Sequence, residues 1–311
     1  MFNTPILFLI FNRPDTTQIV FDEIKKIKPK YLFVAADGAR ENKIGEKEKC
    51  DETRNIIKQV DWDCEIKTLF REKNLGCKIA VSSAISWFFE NVEQGIILED
   101  DCIPDQSFFY FCEELLNYYK NDQKIMHIGG NNFQFGKNKT KYSYYFSIYN
   151  HIWGWATWRR AWQKYDVTVK SFPEFTESER IKKIFKTKQM QTFWLNNFKQ
   201  VYENKIDTWD YQWQYCICNN DGFAITPKTN LVTNIGFDER ATHTKDRNHV
   251  SNLPKNRIET PLAHPKNINR FSKADNFTFY KIFEKKITLQ QNLKKLLDVI
   301  KKYIKILLRR E

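Results

Sequence analysis

The chain has 311 residues, of which 41% are apolar and 15% aromatic, so wholesale disorder is excluded and one large domain, with or without an appendage, is expected. Fifty basic against 38 acidic side chains leave a net charge of +12, which points to an anionic partner such as phosphate-bearing small molecules, acidic lipid or nucleic acid. Seven scattered cysteines form no CxxC pair, which excludes a zinc ribbon or a disulfide framework and fits buried thiols in a reducing compartment.

In chain order, Ile6–Phe11 is a strand. The apolar stretch around it is too short to cross a bilayer, and it has neither a preceding basic segment nor a following small-residue cleavage site. Helical spacing predicts Thr16–Lys26, then a strand over Tyr31–Ala36 that ends in Asp37-Gly38. A charged stretch, Glu41–Lys49, leads to a helix near Glu52–Val60. A strand over Cys64–Phe70 and a helix over Lys78–Glu90 follow. Gly95–Leu98 is a fourth strand, and a helix over Asp105–Tyr119 opens at Pro104-Asp105. Strands separated by helices predict an α/β fold with a mostly parallel sheet and flanking helices. Further on, Lys124–Ile128 reads as a strand, Tyr142–Tyr149 alternates, and helices are expected over Lys188–Glu203 and Trp209–Cys218.

In such sheets ligands sit beyond the carboxyl ends of the strands. Arg13, Asp37 and the triplet Glu99-Asp100-Asp101 all fall just after strands, so they should converge on one rim. The triplet follows a fully apolar strand, where adjacent negative charges give nothing to a core. Carboxylates are hard oxygen ligands for Mg2+ or Mn2+, and an ion bridging a diphosphate needs only one or two of them. Strand alternation would put Glu99 and Asp101 on one face and Asp100 on the other. The alternative is a solvated acidic turn.

The segment ILEDDCIPDQSFFYF resembles the Glu-Asp-Asp segment of the GT-A fold glycosyltransferases related to N-acetylglucosaminyltransferase I. The similarity continues in order through ILFLIFNRPDTTQ, VAADGAREN, IWGWATW, TWDYQW and NIGFDERATHT. It covers residues 4–165 well, 205–245 in patches, and nothing afterwards. The resemblance implies a GT-A domain over residues 1–255 that moves a sugar from a nucleotide diphosphate donor, UDP-linked in this family's pattern, to a glycan or lipid-linked glycan hydroxyl, with inversion. It implies that Arg13 contacts the diphosphate, Asp37 the base, and Glu99 and Asp100 the sugar and ribose. Asp101 would ligate Mn2+ (or Mg2+), Asp210 would be the general base, and Thr242 and His243 would close on the phosphates. Asp210-Tyr211 stands where the family often has two acids.

Elementary chemistry agrees with each role but leaves plainer ones open. Arg13 could be a surface arginine before a proline turn, Asp37 an Asp-Gly turn, and Asp210 a helix cap. Trp155, Trp158 and Trp162 have helical spacing, which reads as core packing. Gly154 would permit a close turn that leaves Trp153 or Trp155 against an acceptor sugar. With Pro261 and Pro265 among them, residues 256–280 read as a linker. Residues 281–311 carry ten basic and three acidic side chains. Over Thr288–Arg310 they form an amphipathic pattern that suits an anionic membrane surface, or else docking on protein. A cytoplasmic enzyme, peripheral on the inner face of the cytoplasmic membrane and without nucleic acid, is expected. The alternatives are a sugar-nucleotide nucleotidyltransferase, although FNRPDTT lacks the glycines its loop would need, and a non-catalytic membrane-associated glycan-binding protein.

Overall fold

Five apolar residues in succession, Ile6–Ile10, form strand β1 and are all buried. An unbroken apolar run is what a strand covered on both faces requires. Alternate side chains enter different cores: Ile6, Phe8 and Ile10 pack in one cluster, and Leu7 and Leu9 in the other. The same division runs through β2 (Tyr31–Ala36) and β4 (Gln94–Glu99), with Leu32, Val34, Ile96 and Leu98 on one side and Phe33, Ala35 and Ile97 on the other. The first core is covered by α1 (Pro14–Ile27) and α4 (Gln106–Tyr118). The second is covered by α3 (Gly76–Asn91) and α9 (Asp210–Asn219). The computed structural model describes residues 2–137, 139–237 and 250–284.

The remaining strands are β3 (Glu65–Phe70), β5 (Cys102–Pro104), β6 (Ile125–Gly129), β7 (Tyr144–Ser147), β8 (Trp155–Trp158), β9 (Phe223–Pro227) and β10 (Val232–Asn234). The remaining helices are α2 (Glu46–Asn55), α5 (Arg159–Trp162), α6 (Phe172–Glu177), α7 (Arg180–Ile184), α8 (Lys188–Tyr202) and α10 (Ser272–Thr278). The main sheet has the order β3-β2-β1-β4-β8-β6-β9-β7, and β10 pairs with β5 in a second, two-stranded sheet. Within the main sheet only β8 and β7 run against the others. The α/β class with a mostly parallel sheet and flanking helices is therefore as expected. The edge strand β3 is exposed and carries Glu65 and Lys67, charges that discourage another chain from pairing there.

Three expectations are corrected. Trp155–Trp158 is a strand, and only the four residues after it are helical. Its tryptophans are three apart, so they face opposite ways: Trp155 enters the second core and Trp158 the first. Ala156 pairs with both Ile96 and Ile128, and this two-sided pairing overrides the helical spacing. The charged stretch before residue 52 is itself helical from Glu46, with Glu46 buried against Arg40 and Asn12.

The third correction concerns the linker. The chain divides into two compact units, Met1–Asp275 and Asn276–Glu311, so most of the stretch read as a linker belongs to the first unit. It lacks regular structure up to Ser272 but is pinned: Ile258 and Leu262 are buried in the first core, Ile258 N donates to Ser107 Oγ (3.0 Å), and Ala263 N donates to Ser143 Oγ (2.9 Å). Of the second unit, residues 276–284 are described, and Phe279–Phe283 forms a π-helical turn. The amphipathic tail helix expected over Thr288–Arg310 lies outside the described residues, as do Thr242 and His243. No helix among the described residues is long and apolar enough to cross a membrane.

Candidate functional site

Strands β2, β1 and β4 are parallel neighbours, so their carboxyl ends lie side by side on one rim. Asp37 follows β2, Arg13 follows β1, and the acidic triplet follows β4. Two cavities open there. The smaller, about 270 Å³, is lined by Asp37, Arg40, Arg71, Asn74 and Asp100. The larger, about 720 Å³, is lined by Asp101, Trp153, Thr208, Asp210, Asn234, Gly236 and Phe237. Arg13, Cys77, Glu99 and Asp207 line both, so the cavities adjoin.

The strand stops at Glu99, so its alternation does not extend through the triplet. Asp100 and Asp101 lie in a tight turn and both pair with the same Arg13 nitrogen, Nη2. The bond to Asp101 Oδ2 is 2.9 Å and the other runs to Asp100 Oδ1. Burial alone would lower the affinity of Arg13 for its proton, but the two carboxylates hold it well above the ordinary arginine range. Burial raises the proton affinity of Glu99, and Asp101 and Asp100 add to it. Asp100 is also raised by burial, with Arg13 opposing. Glu99 Oε1 and Asp100 Oδ2 are enclosed without a hydrogen-bond partner. Buried polar atoms are normally satisfied, so each of these two oxygens has room to accept a further hydrogen bond or an ion.

Asp101 is held from behind by residues that sequence inspection did not single out. Asn234 Nδ2 donates to its Oδ1 (3.2 Å), and Ile235 N donates to its main-chain oxygen (2.9 Å). Both follow from the pairing of β10 with β5, in which Asn234 lies opposite Cys102. A β-carbon at Gly236 would stand 2.0 Å from Asp101 Oδ2, so only glycine admits this carboxylate.

Asp37 is on the rim, but its oxygens are engaged. Oδ1 accepts from Gly38 N (2.9 Å) and Leu75 N (3.0 Å), while Oδ2 accepts from Gly76 N (3.1 Å) and Asn74 Nδ2 (3.0 Å). Burial raises its proton affinity, and the N–H groups of Leu75, Gly38 and Gly76 oppose the rise. From the other side, Asp207 Oδ1 accepts from Lys78 N (3.1 Å). The N–H groups of Leu75, Gly76 and Lys78 at the start of α3 are thus taken by two carboxylates, which already supply this helix end with negative charge. Asp207 and Asn74 were missed because only the fold brings them to the rim. The spacing Asp207-Thr208-Trp209-Asp210 was the available signal for Asp207.

Asp210 opens α9 on the wall of the larger cavity, and its Oδ1 accepts from Thr208 Oγ1 and from Tyr211 N (2.9 Å). Trp153 lies half-buried in the same cavity, edge-on to Phe133 (5.3 Å) and Phe237 (5.4 Å). Gly154 has a φ of +67°, the left-handed turn foreseen after Trp153. Trp155 does not join the site. It is fully buried, stacked on Trp209 (5.6 Å) and His127 (5.0 Å), so the sugar contact expected of it is corrected to a core role.

Among the described residues, no three His, Cys, Asp or Glu side chains converge as a metal cage. The oxygen-only donors at the turn, two of them unsatisfied, fit the other mode, in which one or two carboxylates share a hard ion with phosphates and water.

No family model and no curated protein matches the chain. Among solved structures it is similar to residues 1–349 of TarS from S. aureus, at 9% identity over 64% of this chain and 56% of that one, with a TM-score of 0.34. It is also similar to the 4-diphosphocytidyl-2C-methyl-D-erythritol synthase of Anaerococcus prevotii, at 10% identity over 70% and 97%, with a TM-score of 0.32. Mouse xyloside xylosyltransferase 1 gives 9% identity over 69% and 81%, with a TM-score of 0.32. Likeness at this level adds nothing about chemistry.

Proposed function

We propose that this protein is a metal-dependent, inverting glycosyltransferase. It moves a sugar from a nucleotide diphosphate donor, UDP-linked by resemblance, to a hydroxyl of a glycan or lipid-linked glycan. The observation that carries this reading is the pair of adjoining cavities meeting at Arg13 and the acidic turn, with Asp210 on the wall of the larger one. The smaller cavity takes the nucleoside and the larger takes the sugar and acceptor.

Asp101 would hold Mn2+ or Mg2+, and that ion, when bound, neutralises charge on a departing diphosphate. Asp37 orders the nucleoside side of the cleft, where it fixes Asn74 and the start of α3. Glu99 and Asp100 accept from donor hydroxyls. Arg13 pairs with the diphosphate, and Thr242 and His243 supply further phosphate contacts. Trp153 offers a ring face or edge to the acceptor. Asp210 accepts the acceptor's proton as the hydroxyl oxygen bonds to the anomeric carbon. The bond from that carbon to the diphosphate oxygen breaks, and the diphosphate leaves with the electron pair. Attack from the side opposite the leaving group inverts the anomeric centre.

A thermal-shift panel of nucleotides and nucleotide sugars, with and without Mn2+, tests the reading. A ligand at 100 times its Kd adds about 2.7 kcal/mol to stability, a readable rise in Tm. One nucleotide family is expected to stabilise the protein with Mn2+, and Asp101→Ala should remove the Mn2+ dependence. Asp210→Asn should keep the stabilisation and lose turnover by about 10²- to 10⁴-fold. Stabilisation by no nucleotide, or a Mn2+ dependence unchanged in Asp101→Ala, overturns the reading. Release of nucleoside diphosphate supports sugar transfer, whereas release of pyrophosphate would make the enzyme a nucleotidyltransferase.

A further inference from the structure

Two carboxylates, Asp100 and Asp101, pair with one guanidinium, that of Arg13, and Glu99 precedes them in the chain with its carboxyl buried beside theirs. One guanidinium shared by two carboxylates leaves negative charge that a divalent cation would offset. Glu99 Oε1 and Asp100 Oδ2, buried and unpartnered, point to the same need. Yet Asp101 Oδ2 already accepts from Arg13 Nη2 at 2.9 Å. A divalent ion lies about 2.1 Å from its ligand oxygen, so an ion and Arg13 sharing this oxygen would be like charges within roughly 5 Å. The guanidinium lines both cavities and can reach a ligand that spans them.

We propose that Arg13 is the resident cation of the acidic turn: it holds Asp101 until a divalent ion takes that oxygen, and the displaced guanidinium then pairs with the incoming diphosphate. The proposal rests on the reading of the turn as a metal and diphosphate site. It makes Arg13 a positioning residue that resists the metal alone and admits metal and diphosphate together. Without a diphosphate, displacing Arg13 strands a partly buried cation. With one, the guanidinium gains a new anion.

Binding of Mn2+ measured directly by the loss of its free-ion paramagnetic resonance signal, with and without UDP, tests this. The arms are the wild type, Arg13→Gln, Arg13→Lys and Asp101→Asn, each checked for folding by circular dichroism. The wild type is expected to bind Mn2+ alone weakly, and at least tenfold more tightly with UDP. Arg13→Gln should bind Mn2+ alone at least tenfold more tightly than the wild type, with most of the gain from UDP lost. Arg13→Lys, whose ammonium cannot bridge two carboxylates as a guanidinium does, should fall between, and it serves if Arg13→Gln does not fold. If the arginine only braces the fold, its variants will bind Mn2+ no more tightly than the wild type. That result, with wild-type binding and its UDP dependence intact, overturns the proposal and leaves the glycosyltransferase reading standing. No Mn2+ binding in any arm, or binding unchanged in Asp101→Asn, overturns both.

Discussion

Trp153 and Trp155, two residues apart, have opposite surroundings. Trp153 lines the larger cavity, whereas Trp155 is fully enclosed between Trp209, Trp213 and His127. Trp155→Ala is expected to cost about 3–5 kcal/mol, as large aromatic truncations in cores do, read as a lower denaturation midpoint. Trp153→Ala should change stability little and raise the acceptor KM by up to about tenfold, the worth of one aromatic contact. Equal stability losses would contradict these placements. The positions of candidate residues just after a strand, such as Arg13, Asp37 and Asp101, were legible because strand ends announce themselves in sequence. Asn74, Asp207, Asn234 and Gly236 were not, because each matters through a partner far away in the chain. The same distance hid the saturation of Asp37 by the start of α3.

The elements most legible in sequence were those buried on both faces, where unbroken apolar runs leave one solution. β2 covers Tyr31–Ala36 as expected. β8 was illegible because it joins β4 to β6, and neither partner is near it in sequence. The prolines at 261 and 265 signalled irregular chain correctly, but irregular chain is not free chain when its N–H groups find hydroxyl partners. β6 and α9 are joined through His127: Trp213 Nε1 donates to its Nδ1 (3.2 Å), and its Nε2 donates to His151 O (3.0 Å). The bond from Trp213 requires the neutral ring, because a protonated Nδ1 cannot accept, and burial pushes its pKa from 6.5 down to about 3. The folded state therefore resists a proton that the unfolded chain accepts. This contribution is complete above pH 6.5 and is lost as pH falls from there toward 3. Between pH 6.5 and 5.5 it should remove about 1 kcal/mol, since each tenfold rise in proton activity acts on the unfolded chain alone and is worth at most about 1.4 kcal/mol. His127→Gln should abolish that part of the slope, measured as the difference between the two proteins' urea midpoints at each pH. Identical slopes would show that His127 is already charged in the fold.

For the whole molecule, the charge excess is lopsided, with ten basic and three acidic residues among the last 31, 281–311. If that stretch meets anionic lipid, as its composition suggests, deleting residues 285–311 should abolish co-sedimentation with phosphatidylglycerol vesicles. Turnover on a soluble acceptor should stay within about twofold, since each neutralised lysine or arginine contributes roughly 1 kcal/mol of membrane binding, and the described lining of both cavities comes from residues 9–237. Vesicle binding that survives the deletion would locate the lipid contact elsewhere. Composition conveyed this imbalance and the alternation of predicted strands and helices conveyed the α/β class, yet neither conveyed which hydrogen bonds brace the cleft. One of those braces has a wider meaning. Asp37 and Asp207 each hold an N–H of the first turn of α3, where Cys77 borders both chambers. A helix start fastened at two points resists displacement whichever chamber is filled. Selectivity in one chamber is then free to drift over generations without disturbing the other, and an inhibitor bridging both would meet one unmoving edge.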